Sequence, residues 1–298
     1  MEFITNVLFS TLRVSTPLIL AAMAGALSKQ VNLLNIALEG LMLIGAFSAV
    51  IFASVLGNVW YGLLMAVLSS LVLSIIFAIF VIDLRVNLIV AGLAINILTL
   101  GLTAYLLVVL FDARGAFIPN NVVGLPKFII PGLDALPFLG KVLSGHGVLV
   151  YFSWLAVLLT HLLLYHTPYG LHLRAVGEHK EAAKTAGIAV KRIEYLSILL
   201  GGVLAGLAGA QLSVGDLTLF NENMTNGRGF IALAAVFFGN ANPGMTAVGC
   251  LLFGMFEALQ FRVQIMTGMP PQLLQMLPYL IVVTILIVIS TRKKMQKG

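Results

Sequence analysis

The chain has 298 residues, of which 60% are hydrophobic and only 9% charged, with a mean hydropathy of +1.07 and a formal net charge of +6. A soluble domain carries about 25% charged residues because its surface must be hydrated, so a chain this apolar needs lipid as its solvent. The basic excess lies in short connections and at the C-terminus (Arg292-Lys293-Lys294 and Lys297), not on one face interleaved with aromatics; that is a membrane-topology signal and argues against nucleic acid as a partner.

The first apolar segment, near 6–27, follows Met1-Glu2-Phe3 and meets no basic residue before Arg13. Ala22-Met23-Ala24 resembles a signal-peptide cleavage site, but the basic n-region is missing, so a retained first helix is expected. Arg13 is expected to snorkel or face protein. Segment 32–56 is interrupted in its first half by Asn32, Asn35, Glu39 and Gly40. A carboxylate deep in a membrane is costly. Glu39 therefore either lines a pathway or accepts hydrogen bonds from backbone groups freed at a helix break.

Further apolar runs fall near 60–82, 87–110, 148–166, 194–214, 229–239, 245–261 and 273–290. In hydrocarbon every backbone group must pair within a helix or a closed barrel. These runs do not alternate and mostly exceed the length of a barrel strand. The expected fold is all-α, a polytopic transmembrane helical bundle of about 8–10 membrane segments, some short or re-entrant, forming one domain over 1–298. Asn96, within 87–110, offers an amide either to a ligand or to a neighbouring helix. Gly202-x3-Gly206 and Ala205-x3-Gly209 suit close helix packing.

Between these runs, 111–147 is expected to be an external loop, punctuated by Pro119, Pro126, Pro131 and Pro137 and apolar at Phe128-Ile129-Ile130. The connection 167–193 carries Arg174, Lys180, Lys184, Lys191 and Arg192, and by the positive-inside rule both it and the basic tail 292–298 are cytoplasmic. The N-terminus is external if each early run spans once, and cytoplasmic if 32–56 is re-entrant.

Residues 228–262 must then begin and end outside while holding one run of 11 residues and one of full length, broken at Gly239-Asn240-Ala241-Asn242-Pro243-Gly244. Such a short arm rises about 16 Å, roughly half the hydrocarbon core. Irregular backbone at that depth survives only where protein or a water-filled cavity covers it, which points to a pathway lining near Arg228 and Asn240. Arg228 meets a polar substrate or snorkels. Glu257 has no assigned partner, since Arg262 stands five residues on, a poor helical spacing.

Within 167–193, Glu178 to Ala186 reads as a short helix stopped by Gly187. Its acidic first half and its Lys184 suit the helix dipole, and Ala182, Ala183 and Ala186 leave one face with little bulk. A helix this short does not stand alone in water, so it seats in a groove of a partner or packs on its own bundle. His161, His166, His172 and His179 lack carboxylate or cysteine companions, and no metal site is expected. Cys250 is the sole cysteine, so no intrachain disulfide forms.

Glu181-Ala182-Ala183, three residues and then Gly187 resembles the EAA loop of ABC-importer permeases. Three further stretches resemble the same family: Asn35-Ile-Ala-Leu-Glu39-Gly40-Leu-Met-Leu-Ile-Gly45-Ala, Arg174-Ala-Val-Gly177-Glu178, and Gly227-Arg228-Gly229-Phe230 through Gly239-Asn240. The likeness is to the branch handling branched-chain amino acids, simple sugars and nucleosides, and within it to nucleoside-type permeases.

The resemblance implies a permease subunit in the bacterial inner membrane that moves nucleosides or simple sugars by alternating access. It implies an ABC ATPase subunit as partner, docked on Glu178, Glu181, Ala182, Ala183 and Gly187, together with a second, non-identical permease and an external substrate-binding lipoprotein. Asn35, Glu39, Asn96, Arg228 and Asn240 are the candidate pathway residues. The chain is expected to bind no cofactor and to be no enzyme: it spells no phosphate-binding Gly-x4-Gly-Lys-Ser/Thr loop, and ATP with magnesium would sit on the partner. The alternative is a stand-alone secondary transporter that uses broken helices and a midplane site, with Glu39 coupling to protons.

Overall fold

The computed structural model describes residues 2–119, 121–129 and 139–267. The expected span 273–290, the basic tail 292–298, Pro131 and Pro137 lie outside the described residues.

Apolar length becomes helix along the whole of this range. The helices are α1 (Glu2–Gln30), α2 (Leu38–Leu56), α3 (Val59–Ala78, continued by a π-turn Ile79–Asp83), α4 (Leu88–Phe111), α5 (Leu139–Leu143), α6 (Val148–His166), α7 (Pro168–Glu178), α8 (Lys180–Thr185), α9 (Val190–Ala210, continued by a π-turn Gln211–Leu217), α10 (Arg228–Phe238) and α11 (Pro243–Thr267). Among the described residues seven helices are long and apolar enough to cross a membrane, and α10 is a shorter apolar one. Short side chains begin several of them. The Asn58 carboxamide oxygen accepts the Trp60 N–H at 2.9 Å, Asn87 serves α4 in the same way at Ile89, and Thr167 Oγ1 accepts from Gly170 at the start of α7.

The core lies where α1, α2, α9 and α10 meet. Leu18–Leu20, Met23, Leu38, Leu41 and Met42 are fully buried there. The most apolar stretch of α2 is 83% buried and that of α4 only 22%, so α2 runs through the middle and α4 lies on the outside of the bundle. Small residues permit the central contact. A Cβ at Gly209 would lie 1.9 Å from the Met42 carbonyl oxygen, so α9 touches α2 backbone to backbone.

Two-residue strands close the end formed by 111–147. β1 (Ala116–Phe117) pairs antiparallel with β4 (Phe220–Asn221), and β2 (Lys127–Phe128) with β3 (His146–Gly147). Phe128 and Ile129 stay exposed.

Three local expectations change. The irregular backbone before α2 is Val31–Ala37, with Asn32 at φ 57°, while Glu39 and Gly40 belong to the first turn of the helix. The helix expected over Glu178–Ala186 is divided. Glu178 ends α7, and extended His179 (φ −152°, ψ 95°) caps α8 by accepting the Ala182 N–H on Nδ1 at 3.1 Å. The break Gly239–Gly244 is the turn of a hairpin at the α7 end of the bundle, where Gln30 Nε2 donates to the Ala241 carbonyl at 3.2 Å. The long non-helical stretch of that crossing is instead 218–227, on the N-terminal side of α10.

One end of α1 lies against the loop 111–147, with Phe9 stacked on His146 at 4.1 Å, and its other end lies by α7, where Asn32 donates to the Gly177 carbonyl.

Candidate functional site

A helix leaves its first N–H groups unbonded, and burial makes that costly. α10 begins at half-buried Gly227, which has no side chain with which to cap it. The missing acceptor comes from α2. Glu39 Oε1 accepts the Gly227 N–H and Oε2 the Gly229 N–H, each at 2.7 Å. The carboxylate, 8% exposed, thus sits on the positive end of the α10 dipole.

The start of α2 is capped in turn from α4. Asn96 Nδ2 donates to the Ile36 carbonyl at 2.9 Å, and its Oδ1 accepts the Gly40 N–H at 2.8 Å. Two helices with buried N-termini therefore meet around Glu39, each held by a polar side chain from a neighbour.

Beside them Arg228 pairs with Glu257 of α11 and donates from Nη1 to the Met224 carbonyl at 3.1 Å. The partner of Glu257 is thus Arg228 and not Arg262, because Arg228 and Glu257 face each other across the hairpin. Asn35 is fully buried, and neither of its amide atoms has a hydrogen-bond partner among the described residues; Thr225 Oγ1, just before α10, is in the same state. Asn240 is exposed at the hairpin turn, where its φ of 47° helps reverse the chain. Of the five candidate residues, Glu39 and Asn96 each bond backbone groups at a helix start, and Arg228, bonded to Glu257 and Met224, stands beside that junction on the first turn of α10. Asn35 adjoins it in the chain, and Asn240 stands apart.

A second polar cluster was not singled out in the sequence. Arg13 of α1 lies 3.6 Å from Asp216, and Gln211 Nε2 donates to Asp216 at 3.1 Å. With His146 and Lys127 they line a cavity of about 70 Å³. Gln211 and Asp216 are five apart, a poor spacing on an α-helix, and the π-turn brings them together. His146 is buried between Phe9 and Tyr151, and this burial holds its ring below the usual imidazole range.

At the α7 end, Ala183 is the buried residue of α8. It belongs to the buried apolar cluster that holds Leu173, Val176, Val190 and Ile193, while Glu181, Ala182 and Gly187 are exposed. Gly187 takes φ 82°, and the Ile188 N–H reaches back to the Ala183 carbonyl at 3.0 Å, which ends the helix. Lys180 bonds Glu194 of α9 at 2.6 Å, and Lys191 bonds Asp83 at 2.8 Å. Arg174 stacks on the Tyr165 ring at 5.2 Å, and burial raises the Tyr169 phenol to about 12. Among the described residues no group of three His, Cys, Asp or Glu gathers as a metal site, and His161 instead packs against the Tyr165 and His166 rings.

The family described as the permease component of branched-chain amino acid transport systems matches residues 7–286. A protein of Haloferax volcanii named as a glucose ABC transporter permease is 31% identical, covering 96% of this chain and 92% of its own. A guanosine ABC transporter permease protein of Bacillus subtilis is 33% identical, covering 95% of this chain and 91% of its own. In fold, the chain is similar to one in the solved structure of a metal-chelate type ABC transporter in an inward-facing conformation. That match has a TM-score of 0.55 and 17% identity, and covers 97% of this chain and 85% of the other.

Proposed function

The chain belongs to the permease family of branched-chain amino acid transport systems, a family of multi-pass membrane proteins, and on that premise we propose that it is the membrane subunit of an importer that moves nucleosides or simple sugars by alternating access. The likeness to a guanosine permease and to a protein named as a glucose permease supports that substrate range. ATP and magnesium are held by an ABC ATPase on the cytoplasmic side. A second, non-identical permease and an external substrate-binding lipoprotein complete the assembly.

The observation that carries this reading is α8. It is a six-residue helix with one buried side chain, Ala183, and an exposed Glu181-Ala182 face. A helix so short is not stable alone, and its open, small-faced side suits the groove of a partner. A stand-alone proton-coupled transporter has no use for such a helix, and Glu39, the carboxylate that reading needs, already accepts two backbone N–H groups.

The test is vesicle uptake with the partner permease and ATPase co-expressed, offering nucleosides and monosaccharides in parallel. Glu181→Lys and Gly187→Pro should abolish ATPase co-purification and ATP-dependent uptake while the protein still inserts. Uptake driven by a proton gradient in the chain alone, indifferent to both substitutions, overturns the reading.

A further inference from the structure

The inner end of α9 is tied on two faces. Glu194 is 1% exposed, receives the Lys180 ammonium of α8 on Oε1 at 2.6 Å, and has no partner for Oε2. The charge of this buried carboxylate is therefore matched by one lysine. Among the described residues, this is the one ion pair between α8 and another helix. On another face, Lys191 and Tyr195, one helical turn apart, both bond Asp83 at the end of α3.

α9 with its π-turn then runs unbroken over Val190–Leu217, about 42 Å at 1.5 Å per residue. Its far end carries Asp216, which is held by Gln211 and Arg13 beside the polar cavity. A single continuous helix thus begins at a charged tie to α8 and ends at a charged tie to α1. The remaining hold of α8 on the bundle is slight, because Ala183 offers one methyl group to the apolar cluster.

We infer that Lys180–Glu194 is the joint through which displacement of α8 enters α9 and is carried to the outer tie at Asp216. Both residues are positioning residues, and the inference rests on the coupling reading above. Separation of α8 from α9 leaves the ATPase seated on α8 but disconnects it from the membrane helices.

The test pairs two measurements on the Lys180→Met/Glu194→Gln double variant, which removes both charges together and so leaves no unpaired carboxylate buried at Glu194. In the assembled complex, ATPase co-purification and basal ATP hydrolysis should stay within about twofold of wild type, while substrate moved per ATP hydrolysed falls at least tenfold; Lys180→Arg alone, which keeps an ion pair with Glu194, should retain the wild-type ratio. In the isolated chain, amide exchange over residues 180–188 should accelerate at least tenfold while residues 196–210 keep their protection. Unchanged exchange, or an unchanged transport-to-hydrolysis ratio, overturns the joint. Loss of ATPase association in the variant overturns it as well, since the pair then belongs to the docking surface. If the wild-type chain carries no ATPase, the coupling reading itself fails, and the joint falls with it whatever the exchange measurement reads.

Discussion

Glu39 and Gly229 stand 190 residues apart in the chain, yet the Glu39 carboxylate accepts the Gly229 backbone N–H at 2.7 Å and so caps a helix that begins inside the protein. The same carboxylate takes the Gly227 N–H, and between them the two bonds satisfy donors of the buried and half-buried first turn of α10. Glu39→Ala leaves one buried and one half-buried donor without an acceptor and should cost about 2–4 kcal/mol. Glu39→Gln keeps one acceptor and should cost less. Thermal unfolding in detergent should rank wild type above Glu39→Gln above Glu39→Ala; equal midpoints for all three would contradict the capping role.

Asn96 has both ends of its amide engaged at the start of α2. Asn96→Ala should therefore lower stability by about 1–2 kcal/mol and leave substrate affinity in the assembled transporter unchanged. An affinity loss with normal stability would place Asn96 on the substrate instead.

Arg228 and Glu257 are each about four fifths buried in their side chains and carry opposite charges. Either single change, Arg228→Met or Glu257→Gln, leaves an unpaired charge in a largely dry site and should cost about 2–4 kcal/mol. The double variant should recover most of that loss. Additive losses in a double-mutant cycle would show that the two groups do not interact.

His146 stacks on Phe9, and its Nε2 is bonded to the Val142 carbonyl at 2.8 Å. Burial holds its ring below the usual value of 6.5, against the opposing pull of the Val142 bond, and the Arg13 charge adds to the lowering. The unfolded chain then binds a proton more readily than the folded one. The neutral imidazole's contribution is complete above pH 6.5 and declines as the pH falls below it. Thermal midpoints should drop from pH 7 to pH 5, and His146→Phe should flatten that slope. A slope unchanged by the substitution would assign the pH response to another group.

Gly209→Ala puts a methyl group where the Met42 carbonyl oxygen already lies 1.9 Å away. The helices α2 and α9 must separate, at a cost of about 1–3 kcal/mol or more. The expected readout is a sharp fall in the monodisperse fraction after detergent extraction, whereas Gly101→Ala, where a Cβ meets nothing within 4 Å, should behave as wild type.

What the chain alone determined is its solvent and its helices. Runs of apolar residues too long for a strand have to be helical in lipid, and segments such as 148–166 and 60–82 fall within a residue or so of α6 and of α3 with its π-turn. The small-residue spacing at Gly202, Gly206 and Gly209 announced the close contact of α9 with its neighbours, because a missing side chain can be read directly. Only the tertiary structure decided where the polar side chains point. The spacing of Glu257 offered Arg262 five residues on, but its partner Arg228 is 29 residues away across a hairpin. Asn96 lies 56 residues from Gly40, whose N–H it accepts, and Glu39 lies 188 and 190 residues from the N–H groups it caps. Helical periodicity reports neighbours within a turn or two. The buried starts of α2 and α10 need acceptors and donors from other helices, and which helix supplies them depends on how the bundle packs.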